Sequence, residues 1–121
     1  MKIRRARLKD MEGINKLLRQ VLMVHHQGRP DLFQAKGKKY ADEELAEIIA
    51  DDAKPIFVAV DEEKRGLHIG RQIYDYVVEF AKEQGCYNLT LNVWSCNETA
   101  MKFYEKCGLL PQKVGMEKIL A

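Results

Sequence analysis

The stretch that decides the fold is Glu63-Lys64-Arg65-Gly66-Leu67-His68-Ile69-Gly70. It follows the apolar segment Ile56–Val60, which has the composition of a β-strand, and it opens a long amphipathic helix. A turn between a strand and a helix leaves the first backbone N–H groups of that helix without intrahelical partners. The helix dipole adds about half a positive charge at the same place. The sequence therefore predicts a phosphate- or pyrophosphate-binding turn.

Outward from this turn, the chain alternates segments with strand and helix patterns. The predicted strands are Met1–Leu8, Ile56–Val60, Leu89–Trp94 and Gln112–Leu120. The predicted helices are one that Asp10 caps and that runs to about His25, then Ala41–Asp51, His68–Gln84, and one opened by a capping box of Ser95 and Glu98. Gly85 and Gly108 stand where glycine ends a helix. This alternation predicts an α/β fold around one sheet.

Composition is typical of a globular protein. The 121 residues are predicted to form one domain, with 46% hydrophobic and 31% charged residues. No run approaches the roughly 20 apolar residues of a membrane span, and the first residues are charged rather than signal-like. We therefore expect a cytoplasmic protein without a membrane partner. The net charge of +2 is too small to favour nucleic acid as a partner.

Two local features are weaker signals. The three cysteines, Cys86, Cys96 and Cys107, lack C-x-x-C or paired Cys/His spacing, so neither a disulfide framework nor a metal site is predicted. Basic residues crowd the first nine positions, which can mark a nucleic-acid-binding arm. Here they alternate into a strand, and a solvated face is the simpler interpretation.

Two motifs resemble a known family. Arg65–Gly70 is similar to the R/Q-x-x-G/A-x-G/A acetyl-CoA signature of the GNAT superfamily of N-acetyltransferases, with His68 at the first Gly/Ala position. Asn97–Leu109 resembles the family's N-x-x-A-x-x-F-Y-x-x-x-G-F/L segment at every keyed position. The resemblance is strong in the C-terminal half and loose in the N-terminal half. It implies a mixed central sheet with helices on both faces, and acetyl-CoA or CoA as the cosubstrate.

The resemblance also implies site residues. The backbone of residues 67–71 would hold the cofactor pyrophosphate, with charge from neighbouring basic side chains. The full predicted cofactor-binding set is Val60, Lys64, Arg65, Gly66, Leu67, His68, Ile69, Gly70, Arg71, Asn97 and Tyr104. Asn97 would bind the pantetheine arm; the alternative is a helix cap. Tyr104 would be the catalytic acid that protonates the departing CoA thiolate; the alternative is a core tyrosine beside Phe103.

Other candidate residues have plainer alternatives. His25 and His26 end the first predicted helix near a loop that faces the acceptor in this family, but a helix C-terminus favours histidine in any case. Trp94 ends a predicted strand, and a core position is expected rather than a stacking platform. The sequence Arg29-Pro30-Asp31 could contact an acceptor, although an ordinary turn accounts for it.

The chain departs from the family before the pyrophosphate turn. Where the family has two further strands, Val60 passes through Asp61, Glu62 and Glu63 straight to Arg65, so about two central strands of ordinary length are missing. Three explanations are open: a true deletion, pairing recovered from another subunit, or a segment of the real polypeptide that is missing from this sequence. Because the family's usual acidic base lies in that region, no catalytic base is assigned.

We therefore predict an acetyl-CoA-dependent N-acetyltransferase that acts on a primary amine, on a small molecule or a peptide, by direct attack in a ternary complex. No cysteine is placed to act as a covalent nucleophile. The alternative is a CoA-binding module without catalysis, or a strand-exchanged homodimer. A nucleic-acid-binding domain that uses the basic N-terminal strand is a third, weaker alternative. The acceptor amine is not specified by the sequence.

Overall fold

The computed structural model of the protein describes residues 2–37, 39–60 and 68–121. In this part of the chain there are two strands and four α-helices. They are β1 (Lys2–Arg5), α1 (Met11–Gly28), α2 (Asp42–Ala50), β2 (Phe57–Val60), α3 (Ile69–Glu83) and α4 (Glu98–Lys106). A short 3₁₀ turn, Leu8–Asp10, precedes α1. The four predicted helices are confirmed, each within a few residues of its expected bounds.

The sheet is an antiparallel pair of strands. Its register places Lys2 opposite Val60 and Arg5 opposite Phe57. One more backbone bond extends the ladder, because the Ala6 N–H donates to the Ile56 carbonyl at 2.7 Å. Both strands are shorter than predicted.

Helices cover both faces of this sheet, because successive side chains of a strand point to opposite sides. On one face, Val58 packs against a core of three buried residues, Ala6, Leu45 and Ile49. The last two lie four residues apart on α2, so they share one face of that helix. On the other face, the Phe57 ring lies 5.1 Å from that of Tyr76 and 5.0 Å from that of Phe80, both on α3.

Asp10 precedes α1 as predicted, but its carboxylate does not cap the helix. Instead it accepts two hydrogen bonds from the Arg4 guanidinium, at 2.7 and 2.9 Å, and one from the Arg7 backbone N–H at 2.7 Å. The reason is local: Asp10 ends the 3₁₀ turn in a helical conformation, so its side chain turns back toward β1. Asp10 thus connects the first strand to the first helix.

Glycine ends α3 and α4 as the sequence predicts. Gly85 and Gly108 have φ angles of 74° and 90°. After α3, the Cys86 N–H donates to the Ala81 carbonyl and the Gly85 N–H to the Lys82 carbonyl, both at 3.0 Å. The same pair of bonds follows α4, and it is the Schellman pattern that satisfies the last carbonyls of a helix.

The strands predicted at Leu89–Trp94 and Gln112–Leu120 are wrong for this structure. Within the described residues both segments lack strand pairing, and the sheet is antiparallel rather than mixed. Alternating apolar residues define the face that a strand would bury, but a strand also needs a neighbour for its backbone. The α/β class is confirmed. None of the described helices is long and apolar enough to span a membrane.

Candidate functional site

The N-terminus of α3 is the first component of the site. His68 precedes the helix in a left-handed conformation, with φ 58° and ψ 27°. Its carbonyl accepts the Gln72 N–H at 3.0 Å, so the N–H groups of Ile69, Gly70 and Arg71 precede the first helical bond and are available to a ligand. The predicted residues Lys64, Arg65, Gly66 and Leu67 lie outside the described residues.

A pocket of about 420 Å³ adjoins this helix end. Residues of α1, α3 and α4, together with the residue that precedes α4, form its walls: Val24, Gly70, Asn97, Thr99, Ala100, Phe103 and Tyr104. A Cβ on Gly70 would lie 3.5 Å from Phe103 Cζ, an ordinary contact distance, so α3 and α4 approach closely here. Because its walls are mainly apolar, the pocket suits an extended, largely apolar ligand segment.

Asn97 begins α4, and here the structure corrects the sequence prediction. The sequence predicted Ser95 as the cap, and a cap role for Asn97 was the alternative to binding the pantetheine arm. In fact Asn97 is the N-cap, and its Oδ1 accepts the Ala100 N–H at 3.2 Å. The Asn97 N–H donates to the Trp94 carbonyl at 2.9 Å, which closes a turn and places the helix start two residues later. Asparagine is as good an N-cap as serine.

The other end of the Asn97 carboxamide faces α1. Its Nδ2 lies 3.3 Å from His25 Nε2. An amide nitrogen only donates, so His25 Nε2 accepts in this arrangement and the ring proton lies on Nδ1. The side chain of Asn97 is therefore held at both ends, by the first turn of α4 and by the last turn of α1.

Tyr104 lies in the pocket wall. It is half-buried, and its ring lies 5.3 Å from that of Phe103 at 69°. Tyr104 thus packs beside Phe103, as the core-tyrosine alternative predicts. It also lines the pocket together with Asn97 and Gly70.

Four of the predicted residues that the structure describes do not line the pocket: Val60, His68, Ile69 and Arg71. Val60 is the last residue of β2, opposite Lys2. The Arg71 side chain turns along its own helix, where Nε lies 3.1 Å from Asp75 Oδ1 and a terminal nitrogen lies 3.8 Å from Cys107 Sγ. What Arg71 offers at the helix end is its backbone N–H.

An aromatic cluster lies beside Asn97. The Phe33 ring is 5.0 Å from the His25 ring and 4.9 Å from the Trp94 ring. Trp94 is 50% exposed, so the expected core position is wrong. The segment that ends at Trp94 has no strand pairing among the described residues. His26 contacts the segment that carries Phe33, because its Nδ1 lies 2.7 Å from the Phe33 carbonyl oxygen.

Arg29, Pro30 and Asp31 form the expected turn. The Arg29 guanidinium pairs with Asp31 at 2.9 Å and also with Glu117 from the C-terminal segment. Hydrogen bonding to Arg29 lowers the pKa of Asp31 from its usual value. One guanidinium is thus shared by two carboxylates, so the turn is an ion-paired structural feature.

Four residues that line the pocket are absent from the predicted site: Val24, Thr99, Ala100 and Phe103. The last two are keyed positions of the second motif, although no site role was predicted for them. Val24 lies one helical turn after Val21, so the apolar periodicity of α1 could have identified it. Its side chain is 46% exposed. Thr99 follows the N-cap by two residues, and no pattern distinguishes it. The contact between His25 and Asn97 joins residues 72 positions apart, a distance at which a single sequence gives no signal.

Comparison with known proteins identifies a matching family and relatives. A sequence model of the acetyltransferase (GNAT) family matches residues 32–109. Glucosamine 6-phosphate N-acetyltransferase of Arabidopsis thaliana is 33% identical over 61 residues, 50% of this chain and 39% of that protein. A Bacillus subtilis (strain 168) protein, provisionally named ribosomal protein bS18-alanine N-acetyltransferase, is 34% identical over 64 residues, 53% of this chain and 42% of its own. The chain thus spans about two fifths of these curated relatives.

Solved structures share the fold over nearly the whole chain. The crystal structure of a tetramutant of the BH1408 protein from Bacillus halodurans superposes with a TM-score of 0.91. The match covers 99% of this chain and 100% of that one, at 23% identity. A point mutant of the same protein superposes with a TM-score of 0.83 at 24% identity.

Proposed function

The chain belongs to the acetyltransferase (GNAT) family, and on that premise we propose that it transfers the acetyl group of acetyl-CoA to a primary amine. The observation that carries the proposal is the pocket that joins Gly70, at the start of α3, to Asn97 and Tyr104 of the second motif. Two motifs separated in sequence thereby line one cavity.

The described residues fit CoA in three respects. The free N–H groups at the start of α3 suit the pyrophosphate, since the helix dipole favours an anion there. The largely apolar pocket suits the pantetheine arm. The Asn97 Nδ2 lies 3.3 Å from His25 Nε2. It can donate a hydrogen bond to an amide carbonyl of that arm. These residues would hold the cosubstrate, while acetyl-CoA supplies the activated acetyl group.

We assign Tyr104 the role of general acid. The amine forms a bond to the thioester carbonyl carbon, the carbon–sulfur bond breaks, and the amine loses one proton while the thiolate gains one. A phenol hydroxyl carries a proton that it can donate to sulfur as the carbon–sulfur bond breaks. Among the described residues that line the pocket there is no carboxylate, so we assign no base among them.

The acceptor is a primary amine of unassigned identity. The two relatives are named for a sugar phosphate and for a protein alanine, so the family fold serves both small and macromolecular amines. A cytoplasmic location remains part of the proposal.

A second function is favoured by one observation. Because the described pocket wall supplies an acid but no carboxylate base, the chain could bind CoA without catalysing transfer. Binding of CoA without turnover on a broad panel of amines would select this alternative.

Calorimetric titration with CoA and acetyl-CoA tests the binding step. We expect saturable binding with a dissociation constant between about 1 µM and 1 mM, the usual range for enzyme substrates. An absence of binding heat at millimolar ligand would overturn both the transferase proposal and the CoA-binding alternative.

An acetylation screen with the wild type and Tyr104→Phe tests the chemistry. The variant should lose about 10²-fold or more in rate, with little change in CoA affinity. Tyr87→Phe is the matched control, since Tyr87 is fully exposed and the same hydroxyl is removed. Equal rates for Tyr104→Phe and the wild type would exclude Tyr104 as the acid.

A further inference from the structure

The proposed reaction needs a group that takes a proton from the amine. An amine nitrogen gains positive charge when it bonds to a carbonyl carbon, so one of its N–H protons has to leave. Among the described residues of the pocket wall there is no carboxylate to accept it. Histidine is the side chain that most often accepts protons in catalysis, and the structure places His25 against this wall.

The hydrogen bonds of Asn97 define the protonation of His25. Asn97 Oδ1 accepts the Ala100 N–H at 3.2 Å, so the carboxamide cannot turn over without losing that bond. Its Nδ2, which only donates, therefore faces His25 Nε2 at 3.3 Å. An imidazole nitrogen that accepts a hydrogen bond carries no proton, so His25 is neutral with its proton on Nδ1. The Nε2 lone pair is what a general base needs.

His25 adjoins the pocket through two neighbours. Its hydrogen-bond partner Asn97 and the preceding residue of α1, Val24, both line the cavity. The rings of Phe33 and Trp94 lie 5.0 and 6.4 Å from the imidazole and support it beside Asn97. A ligand group that contacts the Asn97 amide is therefore within reach of His25 Nε2, directly or through one water.

The other two histidines of the chain are placed differently. His26 Nδ1 lies 2.7 Å from the Phe33 carbonyl oxygen, which only accepts, so that nitrogen carries a proton and the ring serves the loop. His68 precedes α3 on the backbone. In the described part of the chain, His25 is the one histidine whose side chain has a hydrogen bond to a residue of the pocket wall.

We propose that His25 is the general base of the transfer, a role that rests on the acetyltransferase activity proposed above. As the amine nitrogen bonds to the thioester carbonyl carbon, one N–H bond breaks and its proton passes to His25 Nε2. As the carbon–sulfur bond breaks, the Tyr104 hydroxyl gives its proton to the sulfur. His25 then holds one proton more and Tyr104 one fewer, and proton exchange with water restores both.

The spacing of acid and base suits this division. Tyr104 follows Asn97 by seven residues, which is two helical turns or about 10 Å along α4. Side chains of a helix tilt toward its N-terminus, so the tyrosine leans toward the end where Asn97 contacts His25. Acid and base each lie about 3 Å from their own reacting atom, and a separation of this order leaves room for both atoms between them.

The variant His25→Gln separates a base from an orienting acceptor. Glutamine can accept the hydrogen bond of Asn97, so CoA affinity measured by calorimetry should fall no more than about threefold. It cannot take up a proton, so kcat for an amine acceptor should fall about 10²-fold or more. His26→Gln makes the same change at the neighbouring position and is the matched control, with an expected loss of rate of no more than about threefold.

Nitrogen-15 NMR of the imidazole rings gives a readout that does not depend on turnover. In the free wild type at neutral pH, the His25 resonances, assigned by their loss in His25→Gln, should be those of a neutral ring protonated at Nδ1. A ring protonated at Nε2, an unchanged kcat in His25→Gln, or equal losses of rate in the two glutamine variants would each overturn the base and leave the acetyltransferase in place. A wild type that binds CoA but acetylates no amine would overturn the acetyltransferase and, with it, the base.

Discussion

His68 has a left-handed backbone conformation, which residues with a Cβ adopt rarely. It is the only non-glycine residue of the described chain with a positive φ angle, at 58°. The left-handed region costs a residue with a Cβ about 1–2 kcal/mol, and glycine escapes most of this cost. The family motif has glycine or alanine where this chain has His68, and the backbone gives a physical reason for glycine.

The variant His68→Gly should therefore stabilise the protein by about 1 kcal/mol, as measured by urea unfolding, and should preserve CoA binding. His68→Ala is the control, since it removes the imidazole but keeps the Cβ. If the alanine variant is as stable as the glycine variant, the strain argument is wrong and the imidazole itself is responsible.

His25 fixes the orientation of Asn97, because its Nε2 lies 3.3 Å from the Asn97 amide nitrogen. His25→Phe keeps a ring beside Phe33 but removes the acceptor, and should lower CoA affinity about threefold to tenfold, the loss of about 1 kcal/mol. His25→Gln supplies a carbonyl acceptor and should lose less. Titration calorimetry measures both; equal affinities for the two variants would exclude the orienting role.

At the scale of elements, Asp10 joins β1 to the start of α1. Hydrogen bonding to Arg4 lowers the pKa of Asp10 from 3.8 to about 2. A carboxyl group whose pKa is lower when folded contributes stability above its unfolded pKa, and this contribution is lost as pH falls. We expect the loss between about pH 5 and pH 2.

Asp10→Asn should accordingly cost about 1–2 kcal/mol at neutral pH and flatten the decline in unfolding free energy below about pH 5. Asp52→Asn is the matched control. Asp52 also pairs with an arginine, Arg5, but the two side chains are 90% and 39% exposed, and exposed pairs contribute about 0–1 kcal/mol. Similar effects of the two variants would contradict the assigned role of Asp10.

The end of α1 packs against the turn that precedes α4. A Cβ on Gly28 would lie 2.7 Å from Cys96 Cβ and 3.0 Å from its sulfur, closer than packed atoms tolerate. Gly28→Ala should destabilise the protein by about 1–3 kcal/mol and displace the segment that carries Asn97.

Gly13→Ala is the internal control for that variant, because nothing lies within 4 Å of a Cβ at Gly13. It should stabilise α1 by about 0.5–1 kcal/mol. Thermal unfolding of both variants checks the pair of predictions. If both alanines stabilise the protein, α1 and residue 96 do not pack as described.

The helices could be predicted because their signals are local. Leu45 and Ile49 lie on one face of α2, and Gly85 and Gly108 mark the ends of α3 and α4 through backbone angles that glycine adopts readily. The strand patterns could not show whether the strands form, since Leu89–Trp94 and Gln112–Leu120 each require a distant or separate partner. The candidate site divides in the same way: Asn97 and Tyr104 came from a motif and the Asn97 cap is a local contact, while the contact between His25 and Asn97 arises from tertiary structure.

At the scale of the whole molecule, the uncovered surface affects the unfolding of the chain. The extended chain exposes about 20,000 Å² and the folded chain 10110 Å², so folding buries about half of that area instead of the two thirds usual at this length. The dependence of unfolding free energy on urea, the m-value, is proportional to the area that unfolding exposes.

A monomeric form of the chain should therefore have an m-value about one quarter lower than a compact domain of equal length. Urea unfolding at low protein concentration measures this value. An m-value equal to that of a compact domain of this length would mean that the chain covers its own surface in solution.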